Sequence, residues 1–126
     1  MSEFGPDVTI CNAAYLHPTA LIYGKVNIHK GASLWPYTVI RSELEEVVIG
    51  EYTNIQDFVM IHIGSSTGTY IGSHCSITHH CTIHGCKIGD NCLIGINTTI
   101  MDDCIIGNNC IVAGHSFLKE GTVIPD

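Results

Sequence analysis

Positive charge is scarce in this chain. Five Lys and Arg stand against twelve Asp and Glu in 126 residues, a formal charge of −7, and the basic residues are scattered. A nucleic-acid surface needs a gathered basic patch, so nucleic acid is not an expected partner. Charged residues of both signs make up only 13% while hydrophobic residues reach 45%, a balance that builds a packed core rather than a disordered chain. No apolar run approaches the roughly 20 residues that span a bilayer. The opening "MSEFGPDVTI" lacks the basic start and apolar stretch of a secretion signal. No membrane association and a cytoplasmic location are therefore expected. The seven cysteines are odd in number and form no CxxC pair, which disfavours a disulfide framework and a cysteine zinc site and favours free thiols. The length fits a single domain, residues 1–126.

What the chain does have is a repeat. An aliphatic residue recurs at Leu16, Ile22, Ile28, Leu34, Ile40, Ile49, Ile55, Ile61, Ile71, Ile77, Ile83, Ile88, Ile94, Ile100, Ile106, Val112, Leu118 and Ile124. Every step is six residues except Ile40–Ile49, Ile61–Ile71 and Ile83–Ile88. Four residues after most of them stands a small or β-branched residue, such as Ala20, Val26, Ala32, Thr38, Thr53, Val59 or Thr98. Gly, Asp and Asn fill the corners between, as in "IGDNCL" and "IGNNCI". A period of six is far from the 3.6 of a helix, and the composition is poor in helix formers. The pattern is that of hexapeptide repeats in a parallel β-helix. Each hexad supplies a short strand and a corner, with the aliphatic and the small residue pointing inward. Cys75, Cys81, Cys92, Cys104 and Cys110 occupy the small inward slot and read as buried packing residues; Cys86, in the shortened unit, reads the same way.

These hexads resemble the left-handed β-helix family, which implies three hexads per turn and about six turns here. General crossover rules favour the right hand, so the left hand comes from the resemblance alone. With three hexads per turn, Ile22, Ile40, Ile61, Ile83, Ile100 and Leu118 share one face. The residues that follow them point outward in a column, Tyr23, Arg41, His62, His84, Met101 and Lys119. Rungs of a sheet lie about 4.8 Å apart, so His62 and His84 are neighbours able to converge on one ion. His79 sits at the preceding corner, its Cα about 13–16 Å from that of His84. If His79 is a third ligand it comes from another subunit, as a threefold ring with a heterologous interface would allow. Gln56 and Asp57 lie one rung before Thr78 and His79, where an amide and a carboxylate could orient a water or brace a ligand.

The segments "IRSE" (40–43), "NIQD" (54–57), His62 and "HHCTIHGC" (79–86) are similar to the gamma-class carbonic anhydrases and their near relatives, over roughly residues 16–126. That resemblance implies a homotrimer with zinc at each subunit interface. It implies His62 and His84 as ligands from one subunit and His79 as the neighbour's ligand. Gln56 would be the amide on the zinc-bound water, Arg41 the arginine that pairs across the interface, and Asp57 the carboxylate that follows the glutamine. Two departures stand out. Glu43 replaces the family's aspartate two residues after the arginine, and the loop "HIGSSTGTY" lacks the acidic residues that serve active relatives as proton shuttles. The sequence also stops at Asp126, inside a hexad, where relatives continue through a further turn and a C-terminal helix; a short or truncated C-terminus is expected.

The chemistry that follows is zinc-hydroxide hydration of carbon dioxide to bicarbonate by a zinc-dependent lyase. Three neutral histidines leave the metal its full charge and an open position, which lowers the pKa of bound water to about 7. Fe2+ or Co2+ could occupy the same ligands. Two alternatives come from other classes. One is a hexapeptide-repeat acyltransferase using one interfacial histidine as base. The other is a weakly active or non-catalytic metal-bound trimeric scaffold. His80, His74 and His115 read as corner residues rather than ligands.

Overall fold

The computed structural model describes Gly5 and residues 7–126. Within them the chain forms strands only, all pairing in parallel, wound as a left-handed β-helix of about six turns. No helix is long and apolar enough to cross a membrane. Three faces repeat in register. The first stacks Ile22, Ile40, Ile61, Ile83, Ile100 and Leu118. The second stacks Ile10, Ile28, Ile49, Ile71, Ile88, Ile106 and Ile124. The third stacks Leu16, Leu34, Ile55, Ile77, Ile94 and Val112. The expected hexad faces are those observed.

The core is the set of inward columns. The aliphatics from Ile22 to Ile100 are almost wholly buried, and the small slot beside each holds Ala, Val, Thr or Cys, also buried. Only small side chains fit there because three walls converge at each corner. All six hexad cysteines are buried, as the repeat requires, and Cys11 alone is exposed. The hydroxyls and thiols of the slot donate to backbone carbonyls of the next rung, as Thr53 does to Gly72 O at 2.6 Å and Cys75 to Gly89 O at 3.0 Å. Buried polar atoms are thereby satisfied.

The corners are left-handed in backbone conformation. Asn91, Asn97, Asp103 and Asn109 take positive φ there, as do Tyr37, Tyr52, Phe58, His74, His80 and His115. A bulky side chain at positive φ costs about 1–2 kcal/mol. Two features offset that cost. The corner amides bond to the rung before, as Phe58 N to Pro36 O and His80 N to Asp57 O. The rings also stack along the coil, Tyr37 on Phe58 (5.2 Å), Phe58 on His80 (5.0 Å) and Tyr52 on His74 (5.3 Å). His74 and His80 are thus corner residues held by stacking.

The three irregular steps each have a local solution. The long step after Ile40 runs through one continuous strand, Val39–Ile49, whose extra residues bulge opposite Gly24 and Val26. The step after Ile61 forms a loop that buries Ile63 and closes with Gly64 N bonding to Thr67 O. The short step after Ile83 turns at Gly85, at φ +60.

Candidate functional site

The strands Met60–His62 and Thr82–His84 pair in parallel with His62 opposite His84. Ile61 and Ile83 anchor both strands in the core, so the next residue on each must point outward. The rings meet edge to face with centroids 5.0 Å apart. His62 Nδ1 and His84 Nε2 are separated by 3.1 Å.

Each ring has its other nitrogen on a carboxylate. Both Glu43 oxygens lie 3.1 Å from His62 Nε2, and Asp102 Oδ1 lies in close contact with His84 Nδ1. A ring nitrogen facing an ionised carboxylate carries the proton. Were both rings neutral with the proton on the carboxylate side, the inner nitrogens would face each other as lone pairs. Two lone pairs at that distance repel unless a cation sits between them. Two nitrogens on a tetrahedral zinc at 2.0–2.1 Å would be about 3.3 Å apart, close to the spacing observed. By donor type and spacing, this pair fits a divalent metal.

Arg41 stands one rung before His62. Its Nε pairs with Glu43 Oε1 at 3.1 Å, and its Nη2 lies 3.4 Å from His62 Nε2. The extra methylene of Glu43 lets one carboxylate reach both Arg41 and His62 within the same chain. Hydrogen bonding to His62, with the positive charge of Arg41 adding, holds the Glu43 carboxyl below its ordinary value.

The other half lies at the corner between the third and first faces. Asp57 Oδ1 approaches His79 Nδ1 to 3.5 Å. Gln56 donates its Nε2–H to Asn54 Oδ1 at 2.9 Å, and Asn54 Nδ2 donates to Ser76 Oγ at 2.9 Å. This chain fixes the amide so that Gln56 Oε1 is left as an acceptor. Ser33, Trp35, Asn54, Gln56, Asp57 and His79 line an open groove of about 470 Å³.

One chain therefore brings His62, His84, Glu43 and Arg41 together, groups Gln56 and Asp57 with His79, and keeps the two groups at different edges. Among the described residues, no set of three His, Cys, Asp or Glu side chains within one chain is grouped to hold a metal ion. Sequence reasoning missed Asp102 and Asn54. Asp102 follows Met101, which is in register one rung beyond His84, two residues past Ile100. Asp57 and His79 hold that same offset from Ile55 and Ile77, so the column map contained the signal. Asn54 precedes Ile55 on the outward side, next to Gln56.

Residues 85–120 match the bacterial transferase hexapeptide (six repeats) family. A "Probable carbonic anhydrase" of Methanocaldococcus jannaschii is 44% identical over 64% of this chain and 51% of its own length. "Gamma carbonic anhydrase 2, mitochondrial" of Arabidopsis thaliana is 30% identical over 99% of this chain and 47% of its own length. The chain thus spans about half the length of these curated relatives. Among solved structures, a hexapeptide transferase family protein from Anaplasma phagocytophilum superposes with a TM-score of 0.90 at 31% identity, covering 98% of this chain and 74% of that one.

Proposed function

Because the chain belongs to the hexapeptide-repeat family and is homologous within it to the gamma carbonic anhydrases, we propose that it is a metal-dependent lyase interconverting carbon dioxide and bicarbonate at the interfaces of a homotrimer. The observation that carries this reading is the His62–His84 pair, with its inner nitrogens 3.1 Å apart and its outer nitrogens tied to carboxylates. A single catalytic base does not need two converging lone pairs; a cation does.

In this reading His62 and His84 of one subunit and His79 of the next hold the metal, with zinc as the expected ion and Fe2+ or Co2+ as chemically competent substitutes. A divalent ion on three neutral histidines supplies a water ionised near neutral pH, a nucleophile for carbon dioxide. The protein's own residues do the rest. Asp57, 3.5 Å from His79 Nδ1, would favour a proton on that nitrogen and so leave Nε2 as the ligand atom. Glu43 does the same for His62 from the opposite nitrogen, and Arg41 keeps Glu43 ionised. Gln56 Oε1, held by Asn54, would accept a hydrogen bond from the reacting water and so fix its orientation. No cationic guide is needed for an uncharged substrate. The proton released must leave past a loop without carboxylates, residues 63–68, so export falls to Glu43 or to buffer.

The second reading is an acyltransferase, favoured by the transferase name of the Anaplasma relative and by an exposed His79 beside an open groove. The deciding experiment is metal content per chain with carbon dioxide hydration on zinc- and iron-loaded protein. One metal per chain with hydration above buffer supports the lyase. Acyl transfer undiminished in chelator, without stoichiometric metal, overturns it. Retained metal with no rate in either form assigns the protein to a metal-bound scaffold.

A further inference from the structure

Asp102 stands outside every motif that carries the family resemblance, yet it contacts one of the paired histidines directly. Its Oδ1 meets His84 Nδ1, and both side chains are about a quarter exposed, 28% for His84 and 26% for Asp102. The backbone around it is shaped to receive a carboxylate. A Cβ on Gly85 would lie 2.7 Å from Asp102 Oδ1, and a Cβ on Gly64 would lie 2.9 Å from Asp102 Oδ2. Two glycines from different rungs, Gly64 two residues after His62 and Gly85 directly after His84, thus clear a notch for one side chain. Gly85 is needed twice over, since it also turns the chain at φ +60. Thr67 closes the notch, its Oγ1 donating to Gly85 O at 3.3 Å. The loop that lengthens the step after Ile61 therefore helps build the wall of a carboxylate seat.

We propose that Asp102 is a positioning residue that holds His84 in the Nδ1–H tautomer, so that Nε2 faces His62 as a free lone pair. An imidazole left to itself exchanges between tautomers, and the Nε2–H form presents a proton where a ligand atom is required. An ionised carboxylate on Nδ1 removes that form, fixes the ring plane and raises the basicity of Nε2. The tautomer assignment stands on the metal-free geometry alone; its consequence for metal affinity rests on the metal-centre reading above.

The test follows the ring nitrogens of His84 by 15N-resolved NMR of the metal-free protein in mildly alkaline solution, alongside zinc affinity by chelator competition. Wild type should show an Nδ1–H, bare-Nε2 His84. Asp102→Ala should show a tautomer mixture, with zinc affinity lower by about 10–100-fold. Asp102→Asn, whose carbonyl still accepts from Nδ1–H, should keep the wild-type tautomer and lose less affinity. Unchanged thermal melting across the three separates positioning from folding. An Asp102→Ala protein with wild-type tautomer and wild-type affinity overturns the proposal. If wild type binds no zinc, the metal reading fails, and the tautomer measurement still decides the role of Asp102.

Discussion

His62 Nδ1 and His84 Nε2 lie 3.1 Å apart although 22 residues separate them in the chain. The sheet register makes this contact, and Thr69 braces it, its Oγ1 donating to His62 O at 2.6 Å and accepting from Gly85 N at 2.8 Å. His79, five residues from His84 in sequence, is at another edge. The site read as split between subunits can be tested without any assay of turnover.

His79→Ala and His84→Ala chains should each assemble without metal. Mixed and refolded together, they should regain metal at up to one interface in three, where an intact His62–His84 pair meets a neighbour's His79. Metal analysis of mixed trimers, separated by a charge tag, checks this. A site contained within one chain would give no recovery on mixing.

Proton export should depend on buffer. The loop of residues 63–68 has no carboxylate, so in the proposed reaction a mobile base in solution would substitute for a shuttle. Hydration by zinc-loaded protein should rise with imidazole buffer concentration at fixed pH and ionic strength. A Glu placed in that loop, as Ser65→Glu, should flatten the dependence.

Alkaline stability should be set in part by the buried thiols. Burial pushes the Cys75 thiol up to about 11 and Cys86 up to about 12, against an ordinary value of 9.0. Below pH 9 both folded and unfolded thiols are protonated, and no stability is lost. Between pH 9 and about 12 the unfolded chain ionises first, so stability falls as pH rises. For Cys86 the loss is on the order of 2 kcal/mol by pH 11. Cys86→Val should reduce that slope, since Val26 and Val47 fill the same inward slot on other rungs. Denaturant midpoints at pH 8 and pH 11 measure it.

Thiol reagents should find one fast site. Cys11 is exposed while the other six cysteines are buried, and a buried protonated thiol is a poor nucleophile. Native protein should release about one equivalent of chromophore from a disulfide reagent quickly. Cys11→Ser should abolish the fast phase, and denaturant should release the remainder.

The corner at Phe58 should prefer glycine to alanine. Both Phe58→Gly and Phe58→Ala lose the stacks on Tyr37 and His80. Only glycine adopts φ 63 without strain, so Phe58→Ala should be less stable by about 1 kcal/mol. Chemical denaturation of the two variants gives the difference directly.

The six-residue period determined most of the architecture by itself. Strand alternation forces an aliphatic inward and its successor outward, so the column holding Arg41, His62 and His84 follows from counting once three hexads make a turn. The inward cysteines are legible for the same reason. Only the tertiary structure decided what the outward side chains touch. Glu43 reaches His62 because the bulged strand Val39–Ile49 carries it there. Asp102 reaches His84 because Gly64 and Gly85, on different rungs, leave a carboxylate room. Aromatic residues hold left-handed corners that their own preferences oppose, because stacking between rungs offsets the strain. Period sets direction along one strand; contact depends on rotamers, irregular steps and neighbours from other turns, none of which repeats every six residues.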